Sequence, residues 1–371
     1  MYPLPLNECS LRRPYYFSAG FKKRYDKIET KEDDQMSNRE IQLVERPVGA
    51  PTHEHINIAE TERPEPKQGE VLVKLLYVSV DPYMRGRMSD AKSYVAPFQL
   101  NEPMEGGVVA EVVESKSEAL ASGDIVTGML PWQEFTTADP TTLRKIDPSL
   151  GPVTTSLGIL GMPGLTAYFG LMDIGQPKQG ETLVVSGAAG AVGSAVVQIG
   201  KIEGCHVVGI AGSDEKLAYL KDELGVDEVI NYKTDDVPAR LDEACPNGID
   251  IYFDNVGGEI SDAVYPRLNK FARISQCGAI STYNTPNAQG PRMQSHLIKA
   301  SALVKGFTVG DYQDRFSEGF QYLSQKLQEG RLTYEETIIE GFENVPDAFF
   351  GLFEGTNLGK QLVKVAEPSH S

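Results

Sequence analysis

Cysteine is scarce in this sequence. Four residues, Cys9, Cys205, Cys245 and Cys277, are scattered over 371 positions. They form neither a C-x-x-C pair nor the dense spacing of a disulfide-stapled domain. Long apolar runs are missing as well, since no stretch approaches the ~20 residues needed to span a bilayer. The leader, "FKKRYDKIETKEDDQ" included, is polar and mixed in charge and holds no apolar segment of the signal-peptide kind. Positive charge is in deficit: 35 Lys and Arg stand against 52 Asp and Glu, a formal net charge of -17. That balance opposes general binding to nucleic acid or to an anionic membrane, because both would be repelled. An anionic cofactor needs only a local positive pocket and is not excluded. A reduced, cytoplasmic enzyme is the class these absences leave.

What is present divides along the chain. Residues 1–35 read as an N-terminal extension, either disordered or lying ahead of a natural start at Met36. From there to about residue 135 the pattern is strand-rich: "EVLVKLLYVSVDP", "GGVVAEVVES" and "SGDIVTGMLPWQEFTT" alternate and are punctuated by glycine and proline. After about residue 160, short apolar runs such as "ETLVVSGAAG", "HVVGIAGS" and "GIDIYFDNVGG" alternate with amphipathic stretches. That alternation predicts an α/β domain with a doubly wound parallel sheet. Beyond about residue 335, "TIIEGF", "VPDAFFGLFEG" and "KQLVKV" read as strand, helix and strand. They have no place in the parallel sheet and are expected to return to the first module.

The segment "VVSGAAGAVGSAVVQIGK" is a strand, a small-residue turn and a helix, with Ala188, Gly190 and Gly193 in A-x-G-x-x-G spacing. Such a turn brings a pyrophosphate against bare backbone and a helix N-terminus. The second strand ends at Ala211 and Gly212, without the carboxylate that usually holds an NAD ribose, and Lys216 follows. An ammonium there suits a 2′-phosphate, so NADPH/NADP+ is the expected cofactor. Asp214 and Glu215 are expected to cap the next helix and face solvent.

The arrangement resembles the medium-chain dehydrogenases/reductases over about residues 40 to 365. Where many members carry the first cysteine ligand of a catalytic zinc, this chain has Ser79 and Asp81 in "YVSVDPYMRGRM". Where they carry Gly-His-Glu, it has Met104 and Glu105, and a thioether is a poor zinc ligand. The close pair His53 and His55 is read as solvent-facing. No metal is expected. "VSVDPYMRGRM", "GMPGLTAYFGL", "AGSDEK", "NYK", "DNVGG", "CGAISTYN" and "GTNLGKQLVKV" narrow the match. Together they resemble the zinc-independent alkenal/one oxidoreductases, which include prostaglandin reductases and bacterial NADPH-dependent curcumin reductases.

The resemblance implies a Rossmann domain over residues 164–334. It also implies a discontinuous GroES-like, mostly β catalytic domain over 36–163 and 335–371. Gly190, Ala191, Val192 and Gly193 would hold the pyrophosphate, Lys216 the 2′-phosphate and Tyr232 the adenosine end. Asn255 would lie beside the middle of the cofactor, with Cys277, Gly278, Ala279, Ile280, Ser281, Thr282 and Tyr283 along its nicotinamide half. Phe307, Thr308, Val309 and Asn357 complete the implied contacts. Tyr283 and Tyr83 are the candidates for catalysis, because a phenol can hydrogen-bond a developing enolate or relay a proton. Arg85 is expected to bind an acidic substrate tail or a cofactor phosphate, or to make a structural salt bridge. Thr166 and Tyr168 are expected to line the cleft. Cys277 is read as a small packed residue and not as a nucleophile. The implied activity is NADPH-dependent reduction of an α,β-unsaturated ketone or aldehyde by a homodimer. A zinc-free quinone reductase and a nucleotide-binding structural protein are the alternatives; "DPYMRGRM" and "STYN" favour the enone reading.

Overall fold

The computed structural model describes residues 37–369. The expected extension and the start at Met36 lie outside the described residues.

Alternating apolar residues build the first sheet. Strands β1 (Ser37–Leu43) and β2 (Ile56–Glu62) precede it in the chain and pair antiparallel as a two-stranded sheet of their own. Next comes β3 (Val71–Ser79), which stops before Asp81-Pro82; the one-turn helix α1 (Met84–Arg87) follows. Proline withholds a ladder donor, so the strand cannot continue through that point. After α1 come β4 (Glu105–Ser115), β5 (Ile125–Pro131), β6 (Phe135–Ala138) and β7 (Arg144–Lys145). Residues 122–137, read from sequence as one run, are therefore two strands. The break falls at Trp132, whose N–H donates to Met104 and whose carbonyl accepts from Ile41, so the chain changes neighbours there.

The parallel domain opens with α2 (Met162–Phe169), β8 (Thr182–Ser186), α3 (Ala191–Ile202) and β9 (His206–Ala211). It continues through α4 (Asp214–Ala218), β10 (Glu228–Asn231), α5 (Val237–Ala244) and β11 (Ile249–Asp254). Then come α6 (Gly258–Val264), β12 (Leu268–Gln276), α7 (Gln294–Ala300), β13 (Leu303–Gly306) and α8 (Phe316–Gln328). The strand order is β10-β9-β8-β11-β12-β13. Helices cover both faces, and so all five residues of β8 are buried and apolar or small. The order reverses between β8 and β11, which opens a crevice at their carboxyl ends.

The last segment supplies β14 (Glu336–Glu340), α9 (Val345–Glu354) and β15 (Lys360–Lys364). β15 runs antiparallel to β3, with Leu362 opposite Ser79, and parallel to β14. The chain end thus completes the first, seven-stranded sheet. Its core gathers Trp132, Met84, Met104 and Phe349, all fully buried. Separate cores line the two faces of the parallel sheet.

Candidate active site

The turn between β8 and α3 shows why its small residues are required. A Cβ on Gly193 would stand 2.2 Å from the Gly187 carbonyl oxygen, so helix and turn could not pack. At Gly190 the nearest atom would be the same oxygen, at 3.4 Å, and the space in front is open. Gly190 is the N-cap of α3 and no side chain caps it. The first N–H groups of the helix therefore face an open, positive cradle that a side chain would fill, which fits a pyrophosphate. Ala191 and Val192 are half-buried along that face.

At the end of β9, Ser213 caps α4 by accepting from the Lys216 N–H. Asp214 and Glu215 are exposed as expected, but neither is the cap, and Asp214 accepts from the Asn231 side chain at 3.1 Å. The hydroxyl is shorter and leaves its own oxygen over the helix end. Lys216 Nζ donates to the Gly355 carbonyl at 2.8 Å, just past the end of α9. Desolvation first, and then the charge of Lys233, lower its pKa. Two electrostatically coupled ammonium groups, one of them half-buried, fit a dianionic phosphate. Tyr232 lies over Gly212, where a Cβ would meet its ring at 2.7 Å.

The crevice floor is tied by a carboxylate that the motif reading passed over. Asp254, 1 % exposed, ends β11. It accepts from Ser186, Tyr252, Ser261 and Gln276 side chains and from the Val256 and Gly257 N–H groups. One buried anion thus fixes the ends of β8, β11 and β12 together. Asn255 donates its side-chain amide to the Ser186 carbonyl at 2.8 Å. Cys277 and Gly278 donate N–H groups to the Asp254 carbonyl, Ile280 to Asn255 and Ser281 to Val256. Thr282 bonds the Ala279 carbonyl through its hydroxyl. The segment 277–283 is zipped along the β11 loop and folds back on itself. Tyr283 consequently brings its phenol oxygen to the Ala279 N–H, at 3.2 Å. Burial raises the Tyr283 pKa, and the Ala279 hydrogen bond opposes that rise. The phenol stays protonated at neutral pH, with its oxygen accepting and its hydrogen a donor. Burial pushes the Cys277 thiol up to about 12, so it is no thiolate.

Tyr83, at the start of α1, packs on the core of the first module. Burial, followed by the Asp81 charge, raises its pKa strongly. Tyr94, on the loop after α1, lies near enough to Tyr283, Cys277 and Arg87, and to Tyr83, for their ionisations to be coupled electrostatically. The structure thus brings a third phenol to the two expected ones; Tyr94 lay in an irregular loop with no periodic signal. Arg85 makes no salt bridge among the described residues. It donates from Nε to Asn284 Oδ1 at 2.9 Å and from Nη2 to the Pro47 and Gly49 carbonyls. Thr166 returns its hydroxyl to the Met162 carbonyl of its own helix. Tyr168 donates to Glu318 at 2.8 Å and packs among Phe169 and Tyr322, within the α2–α8 contact. Phe307 turns its ring inward against Phe253 and Gly170. Thr308 caps the following turn with Asp311, and Val309 packs on the same core. Asn357 donates to the Gly359 carbonyl, and the Gly359 N–H donates to Ala189 of the glycine turn at 2.9 Å. The returning segment therefore touches the dinucleotide turn directly.

The donors that zinc would need are engaged elsewhere. Met104 is fully buried in the core, Glu105 pairs with Arg87 at 2.6 Å and Asp81 pairs with Lys360 at 2.7 Å. Among the described residues no cluster of three or more His, Cys, Asp or Glu could hold a metal ion. His53 is exposed and pairs with Asp347, and His55 bonds within its own turn. These residues do not fit a catalytic zinc.

Comparison with known proteins agrees with this geometry. Residues 39–146 match a family described as the N-terminal domain of oxidoreductase, and residues 191–325 one described as zinc-binding dehydrogenase. A Bacillus subtilis (strain 168) protein with the provisional name NADP-dependent oxidoreductase YfmJ is 64% identical over 337 residues, covering 90% of this chain and 99% of its own. The NADPH-dependent curcumin reductase of Escherichia coli (strain K12) is 44% identical over 335 residues, 89% of this chain and 97% of the relative. The chain belongs to the zinc-independent alkenal/one branch of the medium-chain dehydrogenase/reductase superfamily. The solved CurA of Vibrio vulnificus in complex with NADPH superposes with a TM-score of 0.85 at 46% identity, covering 89% of this chain and all of that one (100%). The zinc in the description of the second family is not matched by ligands here.

Proposed function

We propose that this member of the alkenal/one branch reduces the carbon–carbon double bond of α,β-unsaturated ketones and aldehydes with NADPH. The observation that carries the proposal is the Tyr283 phenol. It stands at the carboxyl ends of the parallel strands, its oxygen held by Ala279 and its proton retained by burial. A neutral donor fixed there suits a substrate oxygen on which negative charge develops.

When bound, NADPH supplies the hydride that reaches the β-carbon of the substrate. The turn Gly190–Gly193 holds the pyrophosphate, and Lys216 with Lys233 selects the 2′-phosphate. Tyr232, Asn255, the segment Cys277–Tyr283, Phe307–Val309 and Asn357 are assigned to the rest of the cofactor path; Phe307 contributes backbone, since its ring is packed. Tyr283 donates to the substrate carbonyl as the enolate forms, and Tyr83 or solvent returns a proton to the α-carbon. The catalytic module comprises the first sheet with the returning segment, and the nucleotide module comprises residues 164–334. Thr166 and the exposed ring of Tyr94 flank the substrate entrance; the Tyr168 phenol serves helix packing.

A homodimer joined through β13 is part of the proposal. All four residues of this edge strand are exposed, Leu303 by 54% and Val304 by 38%, beside Ile298 at 75%. An uncovered apolar edge invites a second copy. Monomers at micromolar concentration in sedimentation equilibrium would remove that element. A cytoplasmic place of action is supported by the unpaired Cys205, Cys245 and Cys277. Among the described residues no helix is long and apolar enough to cross a membrane.

The test is Tyr283→Phe. Turnover of an enone such as 3-nonen-2-one should fall by roughly 10²-fold, the usual cost of one oxyanion donor. The NADPH dissociation constant should stay within about twofold, since the ring remains. Unchanged turnover removes Tyr283 from its role. Faster oxidation of NADPH by benzoquinone than by any enone would instead favour the quinone reading.

A further inference from the structure

We infer that Arg85 and Asn284 form a latch between the two domains that holds Tyr283 in place, which makes Arg85 a positioning residue. The inference rests on the reading of Tyr283 given above.

Arg85 is only 7% exposed. Burial alone lowers its pKa, and no described carboxylate pairs with it. A guanidinium in that setting is costly unless its donors are met. Three of its five N–H donors, on Nε and Nη2, are met by oxygens from two distant parts of the chain. Nη2 holds the Pro47 carbonyl at 3.1 Å and the Gly49 carbonyl at 2.8 Å, both in the connection between β1 and β2. Nε holds Asn284 Oδ1 at 2.9 Å, across 199 positions of sequence. Gly49 sits at φ +89, a conformation that glycine adopts readily, and the loop there lies against the Asn284 backbone.

The position of this tie in the chain gives it meaning. Arg85 stands two residues after Tyr83, and Asn284 is the residue next to Tyr283. One planar cation therefore joins the segments that carry both candidate phenols. Tyr283 follows a single 3₁₀ turn, Ile280–Thr282, and leads into an irregular stretch before α7. Local structure holds its phenol to Ala279, and among the described residues the Arg85 side chain gives the outgoing chain a hydrogen bond to the first module at this point. Opening the cleft would break the Nε–Oδ1 bond, and closure would remake it. A lysine could not serve, because its ammonium lacks the fork that reaches a loop and a side chain in different directions. These bonds occupy Nε and Nη2 and leave only Nη1 for an acidic substrate tail.

Asn284→Ala tests the latch with the least disturbance. It removes Oδ1 and leaves both carbonyl bonds of Arg85. Turnover of an enone at saturating substrate should fall by about tenfold, because small misplacements of a reacting group are costly. NADPH affinity, read from fluorescence quenching without turnover, and the melting temperature should stay near wild type. Asn284→Asp keeps an acceptor for Nε and should restore at least half of the activity. Combining Asn284→Ala with Arg85→Met should lower turnover no further than Arg85→Met alone, the mark of one shared interaction. Full turnover in Asn284→Ala overturns the latch, as does a loss confined to the KM of enones with a carboxylate tail. Tyr283→Phe measured alongside separates the two ideas. If Tyr283→Phe is slow while Asn284→Ala is normal, the latch alone fails; if Tyr283→Phe is normal, the reading of the site fails with it.

Discussion

Lys360 donates to an Asp81 carboxylate oxygen at 2.7 Å and to the Val80 carbonyl at 2.9 Å, with both side chains almost completely buried. Ser79 donates to the other Asp81 oxygen. The first residue of β15 is thereby locked to the turn that carries Tyr83. In Lys360→Met the carboxylate would stay buried with one hydroxyl donor, a loss of about 3–5 kcal/mol. Combining Lys360→Met with Asp81→Asn removes both charges and should recover most of that loss. Urea unfolding of the wild type and these two variants measures it. A neutral Lys360→Met would show that the pair contributes nothing.

The two glycines of the dinucleotide turn should separate fold from binding. Gly193→Ala puts a methyl group 2.2 Å from a carbonyl oxygen and should lower the melting temperature sharply. Gly190→Ala has 3.4 Å and should keep its fold while losing roughly tenfold or more in NADPH affinity. Calorimetric titration beside thermal melts reads both quantities on the same samples. Equal destabilisation would contradict the open cradle at Gly190.

Lys216→Ala should change which cofactor is used. The ammonium is half-buried and close to Lys233, with Gly355 as its recorded partner. Its loss should lower kcat/KM for NADPH by about 10- to 100-fold, the scale of a charge-assisted bond, and leave NADH almost unaffected. Equal losses with both cofactors would place the 2′-phosphate elsewhere.

Stability should carry a signature of Glu336. Burial raises its carboxyl from 4.5 to about 7 against an opposing Thr154 hydrogen bond, and Oε1 is buried without a hydrogen-bond partner among the described residues. The folded form binds this proton more tightly than the unfolded form. Between those values the folded state thus keeps a proton that the unfolded state releases, so stability falls as pH rises from about 4.5 to 7. The penalty is absent below the lower value and complete above the upper one, at about 3 kcal/mol. Glu336→Gln should therefore stabilise the protein at pH 8 and change little at pH 4.5. Denaturant midpoints at those two values check it, and an equal effect at both would exclude proton linkage.

Much of this protein was determined locally by the sequence. Apolar runs bounded by glycine declared the parallel strands, because strands buried on both faces need no alternation. The spacing of Ala188, Gly190 and Gly193 declared the turn, because each small residue answers a contact within a few positions. The strand, helix and strand after residue 335 were legible from their own periodicity. Tertiary structure decided the rest. The pairing of β15 with β3, and Lys360 with Asp81, joins residues some 280 positions apart. Asp254 looked like one letter of a motif until six donors from four segments converged on it. Arg85 could be read as a ligand for anions because sequence shows its charge but not its carbonyl partners. Tyr94 carried no pattern at all. Local propensity acts between near neighbours, whereas a buried charge is satisfied by whatever the folded chain places around it.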